Sequence, residues 1–364
     1  MARFRAAVDH ERVRVATASG GPRSAGALLA AAVLLSAAAG SCAGSAGTTA
    51  RPSATATPPA ARTPTPGSGL PPPTEVTTAG GTALRVEDAD WLQVAGGHVW
   101  TTLGDETAQQ LDASTGALEA SVATDGTVCT AMDQGYGSLW LAVCDPEGRV
   151  LRLDPDTGKV LARIPVPEGL HVVEEGSLAS GEGFVWVVTL GAERTLLKID
   201  PATNRVVAEV PVEVGVVAAR AGEGALWTTN TVTNGVERRD PSTGRLLASV
   251  PTGSGARFFA VGEGAVWVQN NVDGTVTRVD PATNRAVATI RVDSGPVDGG
   301  DLAVGGGFVW ARVSDSLVAK IDPATNSVVA RYSPAAGSGS VAAGADAVWI
   351  SAHDHDVVYR LALR

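Results

Sequence analysis

One tryptophan recurs along most of the chain at nearly constant spacing. It stands at Trp100, Trp140, Trp186, Trp227, Trp267, Trp310 and Trp349, with intervals of 40, 46, 41, 40, 43 and 39 residues. A period of this length means neighbouring copies of one supersecondary unit, and it outranks any residue-by-residue assignment. A glycine lies five residues before the tryptophan in six of the seven copies, and another lies three before it in six. Downstream comes an Asp-Pro turn, at Asp154-Pro155, Asp200-Pro201, Asp240-Pro241, Asp280-Pro281 and Asp322-Pro323; the first copy has Asp112-Ala113 instead.

Between these marks, Val, Thr and Ile alternate with polar residues, as half-buried antiparallel strands require. The fifth copy divides into four predicted strands at 259–261, 265–270, 275–279 and 285–292. Glycine permits the positive φ of the first hairpin. In DPATN, proline presets φ, Asp bonds the backbone ahead of it, and Asn tolerates the left-handed region. Four short strands per unit of about 41 residues specify an all-β, seven-bladed β-propeller of four-stranded antiparallel blades. No window has a 3.6-residue period, which excludes a helical solenoid. The seventh copy supplies only three strands, at 340–343, 347–353 and 357–363. The segment TALRVE at 82–87 matches an outer strand and is expected to complete that blade, closing the ring without an open edge.

Ahead of the repeats, Arg3, Arg5, Arg12, Arg14 and Arg23 precede an uncharged run at 25–40. A basic region followed by a short apolar one reads as a signal peptide at 1–41. Its end, Ala39-Gly40-Ser41-Cys42, resembles a bacterial lipobox, although Ala39 replaces the usual bulky aliphatic residue. Cys42 is therefore the expected lipidation site. Residues 42–80, rich in Ala, Thr, Pro and Ser, read as a disordered tether, and 81–364 as the propeller. The expected location is the outer face of the cell membrane or the medium, with the membrane contacted only through the lipid. Cys129 and Cys144 flank one hairpin turn and are expected to form a disulfide in an exported chain.

The chain carries 28 Lys+Arg against 38 Asp+Glu, a formal charge of −10, which argues against a nucleic-acid partner. A signal peptide would remove five arginines and only two acids, so the acidity belongs to the folded body. In a propeller the a–b and c–d turns share one face, and here they are uniform. The d–a and b–c loops share the other and vary, which makes that face the expected functional one. Its candidate binding residues are Trp91, His171, Glu174, Glu175, Asn230, Arg257, Phe258, Asn270, Asp301 and His353. His353-Asp354-His355-Asp356 has donor atoms for a metal, but a short polar turn explains it more simply, so no metal site is assigned. No nucleophile elbow, zinc Cys pair, phosphate loop or EF-hand occurs, and no catalytic residue is assigned.

Repeats such as VWVQNNVDGTVTRVDPATNRAVATIRV and LLKIDPATNRVVAEVPV resemble those of YVTN-type seven-bladed propellers, over roughly residues 81–364. That broad group is related to the streptogramin (virginiamycin B) lyases, which use a His/Glu cluster with Mg²⁺ on the funnel face. The residues following the blade tryptophans here (TT, LAV, VVT, TTN, VQN, ARV, ISA) lack the Trp-x-x-Glu of lyase blades, so no lyase residue is carried over. The expected role is a non-catalytic, lipid-tethered module, monomeric and without a cofactor, binding a protein, peptide, glycan or small ligand. The alternatives are a divergent metal-assisted lyase or hydrolase using Mg²⁺ with His171, Glu174 and His353, and a structural envelope component whose funnel is plugged by side chains.

Overall fold

The computed structural model describes residues 69–102, 106–145 and 148–363. The expected signal peptide, Cys42 and the first part of the tether lie outside these residues. Seven antiparallel sheets follow one another, six starting with strands Leu92–Ala95, Thr127–Gly135, Leu178–Gly181, Val216–Gly222, Ala256–Gly262 and Asp301–Gly305, and the seventh with Val341–Ala343. We call these innermost strands a and number the blades in this order. In the fifth blade strands b, c and d are Ala265–Asn270, Thr275–Asp280 and Arg285–Arg291, within one residue of the predicted bounds. Strand a is longer than predicted, because a register shift between Ala256 and Phe259 lets pairing resume toward the preceding loop.

Closure follows the sequence reading. Thr82–Arg85 pairs antiparallel with Val357–Ala362 and becomes the outer strand of blade seven. The folded body nevertheless begins earlier than residue 81. Thr74–Glu75 pairs in parallel with the outer strand of blade six, and Val76 is buried beside Trp310, Leu317 and Tyr359. The last part of the expected tether is thus a strap across blades six and seven. One valine in a polar, proline-rich segment gives no periodic signal, which is why the sequence pattern does not mark it.

The disulfide between Cys129 and Cys144 is formed, with Cα atoms 5.3 Å apart. The hairpin register runs as expected from Gly135↔Ser138 to Met132↔Leu141 and then shifts, so Val128 pairs with Val143. Thr130, at φ +47°, marks the bulge. Its backbone carbonyl and that of Cys129 accept hydrogen bonds from Gly176 and Glu175 of the third blade.

All seven blade tryptophans are fully buried. In blades two, four, five and six the indole Nε1 donates to the carbonyl of the residue five positions earlier, at 3.0–3.2 Å. That residue is glycine because the next inner strand passes too close for a side chain: a Cβ on Gly305 would lie 2.5 Å from that of Ala343. Two residues before each turn Asp stands a long polar side chain: Gln110, Arg152, Lys198, Arg238, Arg278 and Lys320, with Arg360 equivalent in blade seven. The six bases each lie 5.0–5.8 Å from their own blade's indole ring. Arg278 also donates to the carbonyl of Pro323 (2.6 Å) and to Asn326 Oδ1 (2.9 Å) in the next blade. Arg152 and Arg238 make the same pair of contacts with Pro201/Asn204 and Pro281/Asn284. The turn is held ready for this: its Asp bonds the amide two residues ahead, and its Asn takes φ of 52–55°.

Replacing Arg278 by Ala removes two charge-assisted hydrogen bonds and a cation–π contact, an expected loss of about 2–3 kcal/mol. The exposed Arg285, changed to Ala, is expected to cost no more than about 0.5 kcal/mol. Urea unfolding midpoints of the two variants check the difference.

Candidate functional site

The a strands line the axis of the ring. Nine residues before the blade tryptophans stand Trp91, Ala131, Ser177, Ala218, Phe258, Asp301 and Ser340, all 4% exposed or less. Trp91 and Phe258 come from blades one and five, which are not neighbours, yet their ring centroids are 6.2 Å apart. They meet across the axis and close it. Above them, toward the d–a loops, Arg257 forms an ion pair with Glu175 and lies 5.2 Å over the Phe258 ring. The mouth chosen from the variable loops is thus a covered plug.

Beyond the plug lies a central cavity of about 340 Å³. Exposure rises toward the a–b turns: Ala221, Val261, Val304 and Ala343 are half-buried and Gln134 is exposed. The cavity therefore opens at the turn face, opposite to the face expected. The ionisable groups among its lining residues are Asp133, Arg220 and Asp301, joined by neutral polar groups at Gln93, Gln134 and Ser180.

Both carboxylates are fixed by donors from adjoining inner strands. Asp133 Oδ2 accepts from the Ser180 amide (2.7 Å) and hydroxyl (3.2 Å) of the next blade, and its Oδ1 from the Gln134 amide (2.9 Å). Asp301 Oδ1 accepts from its neighbour's amide on Leu302 (2.8 Å), and its Oδ2 from Ser340 Oγ (2.7 Å) and the Val341 amide (3.2 Å). Arg220 Nη1 donates to the carbonyls of Ala219 (2.8 Å) and Gly176 (3.1 Å). Its Nη2 and Nε make no hydrogen bond within the described residues. Burial pushes the Asp133 carboxyl up, opposed first by the charge of Arg220. Burial likewise pushes Asp301 up to about 6, again against Arg220.

Of the remaining sequence candidates, His353 lies near Glu175, both acting on the carboxyl of Asp90, which burial pushes up; the others are scattered. His171 is exposed, on a two-residue strand that pairs with Leu190, and Glu174 is exposed on the turn after it. Asn230 and Asn270 are fully buried inside their own blades, where they cap the b–c hairpins and bond Glu237, Thr275 and Thr277. They do not face the axis. His353 opens a single 3₁₀ turn, His353–His355, with its Nδ1 buried and without a hydrogen-bond partner. No group of three or more His, Cys, Asp or Glu side chains with metal-holding geometry occurs among the described residues.

Sequence reasoning missed Asp133 and Arg220. A signal existed: seven residues before the tryptophan the copies read Gln93, Asp133, Ala179, Arg220, Ala260, Ala303 and Ala342. Four alanines define a close-packed axial position, and the three polar departures mark the cavity wall.

A streptogramin B lyase of known structure is similar to this chain, with a TM-score of 0.61, 17% identity, and coverage of 77% of this chain and 95% of the lyase. In all, 1614 solved chains match, so the likeness places the fold and leaves the activity open. No family model and no curated protein matches the sequence.

The raised value of Asp301 has a consequence for stability. A folded-state pKa of about 6, against an ordinary 3.8, means that protonation favours the folded state. This contribution is whole below about pH 4 and is lost as pH rises through about 6. Asp301→Asn removes the titration. The stability of the variant relative to wild type is expected to increase between pH 4 and 7, on the order of 2 kcal/mol, as read from denaturation midpoints.

Proposed function

We propose that this chain is an exported propeller, of the YVTN type and held to the outer face of the membrane through a lipid on Cys42, that binds a small ligand in its central cavity without transforming it. The observation that carries this reading is the state of Arg220. Its guanidinium borders a cavity with two fixed carboxylates, and part of its donor capacity has no partner among the described residues. Nη2 and Nε are accessible donors in a preformed cavity, which supports an incoming acceptor. The volume of about 340 Å³ lies near the lower end of small-molecule sites, roughly 300–1,000 Å³. The basic leader, the Ala-Gly-Ser-Cys sequence and the disulfide support export.

A lyase reading rests on the fold likeness alone; His171, Glu174 and His353 are not gathered into a donor set. The plug of Trp91 and Phe258 is what a purely structural ring would require at one end. The charged, open cavity at the other end favours binding.

Thermal-shift screening of the purified chain against small charged metabolites is the test. At a hundredfold excess over Kd a ligand is expected to stabilise wild type by about 2.7 kcal/mol. Arg220→Gln should abolish this gain and Arg257→Ala should preserve it. Loss of the gain on Arg257→Ala, with none on Arg220→Gln, would return the site to the loop face.

A further inference from the structure

The cavity places two carboxylates and one guanidinium around a single small volume. Asp133 comes from blade two, Arg220 from blade four and Asp301 from blade six, so the three charges approach the axis from separate directions. Arg220 is near enough to lower the pKa of both acids, yet among the described residues it forms an ion pair with neither. The bonds that each group makes hold the three charges on separate inner strands. The carboxylates are tied to Ser180 and Ser340 in the blades after their own, and Arg220 to backbone carbonyls. Each carboxylate accepts three hydrogen bonds from the protein and retains acceptor capacity for another.

Charges fixed apart in a half-enclosed space select a ligand by complementarity. An anion would meet Arg220 but face two carboxylates. A lone cation would meet the carboxylates but face Arg220. A ligand with one negative and two positive groups satisfies all three. Resting on the reading that this cavity binds a ligand, we infer that its ligand is a basic α-amino acid, whose carboxylate meets Arg220 and whose two cationic groups lie toward Asp133 and Asp301. Gln93, Gln134 and Ser180 offer neutral polar contacts around it. The plug of Trp91 and Phe258 blocks passage along the axis, so the ligand comes and goes through the turn face.

Titration calorimetry with L-lysine, L-glutamate, L-norleucine and cadaverine tests this. Norleucine lacks the side-chain ammonium, and cadaverine lacks the carboxylate. L-lysine is expected to bind at least tenfold more tightly than norleucine or cadaverine, and at least a hundredfold more tightly than glutamate. Asp133→Asn should weaken lysine at least tenfold while bringing norleucine and lysine closer together. Arg220→Lys, which keeps the charge, should retain more lysine affinity than Arg220→Gln. Wild-type protein that binds glutamate better than lysine would overturn the ligand class while leaving the cavity as a binding site. Protein that binds none of the four would overturn the ligand class, and a blank result in the wider metabolite screen would remove the binding reading as well.

Discussion

The ring depends on one repeated contact: a basic side chain on strand c lies over its own blade's tryptophan and reaches the c–d turn of the next blade. Arg152, Arg238 and Arg278 show it in full, each donating to a proline carbonyl and to the turn asparagine. Arg360 extends it to Ala113 of blade one, and Gln110 does so without charge toward Pro155. Each element of the repeat acquires a reason from this contact. The tryptophan supplies the apolar platform, the glycine before it accepts the indole proton and admits the next inner strand, and the Asp-Pro turn presents a fixed carbonyl. A sheet of four strands cannot bury both faces alone; seven of them do so only because each is keyed to the next.

Close packing at the axis then decides where a cavity can exist. Alanine at the axial position in four blades lets the inner strands converge, and glycine near the a–b turns lets them pass. The large side chains break this pattern at two levels. Trp91 and Phe258 fill the end nearer the variable loops, with Arg257 and Glu175 above them. Asp133 and Arg220 border the space beyond, where exposure increases toward the turns. The face with the most variable loops is therefore the closed one, and the uniform turns form the rim of the open one.

Fold and site differ in how far the sequence reveals them. Blade count, strand order and closure by 82–85 were legible because they rest on period and turn chemistry, which are local and repeated seven times. The strap at Thr74–Glu75 was not legible, since a two-residue strand with one buried valine has no periodicity. Most of the loop-face candidates stand away from the cavity for a different reason. Loop variability identifies surface freedom, but Asn230 and Asn270 use their polarity on their own hairpins, and Trp91 uses its area to close the axis. Asp301 was found, though as a loop residue and not as the buried first residue of a strand. Comparing the copies at the axial position would have found Asp133 and Arg220, because an arginine among alanines is an exception the fold does not need.

Small ligands are proposed to occupy the axial cavity from the turn face while the loop-side mouth stays shut. A crystal structure of the chain soaked with L-lysine measures this most directly. Ligand density is expected within hydrogen-bonding distance of Arg220 and beside Asp133, with the rings of Trp91 and Phe258 still in contact across the axis. Density at the Arg257–Glu175 mouth, or Trp91 and Phe258 parted around an open channel, would contradict it.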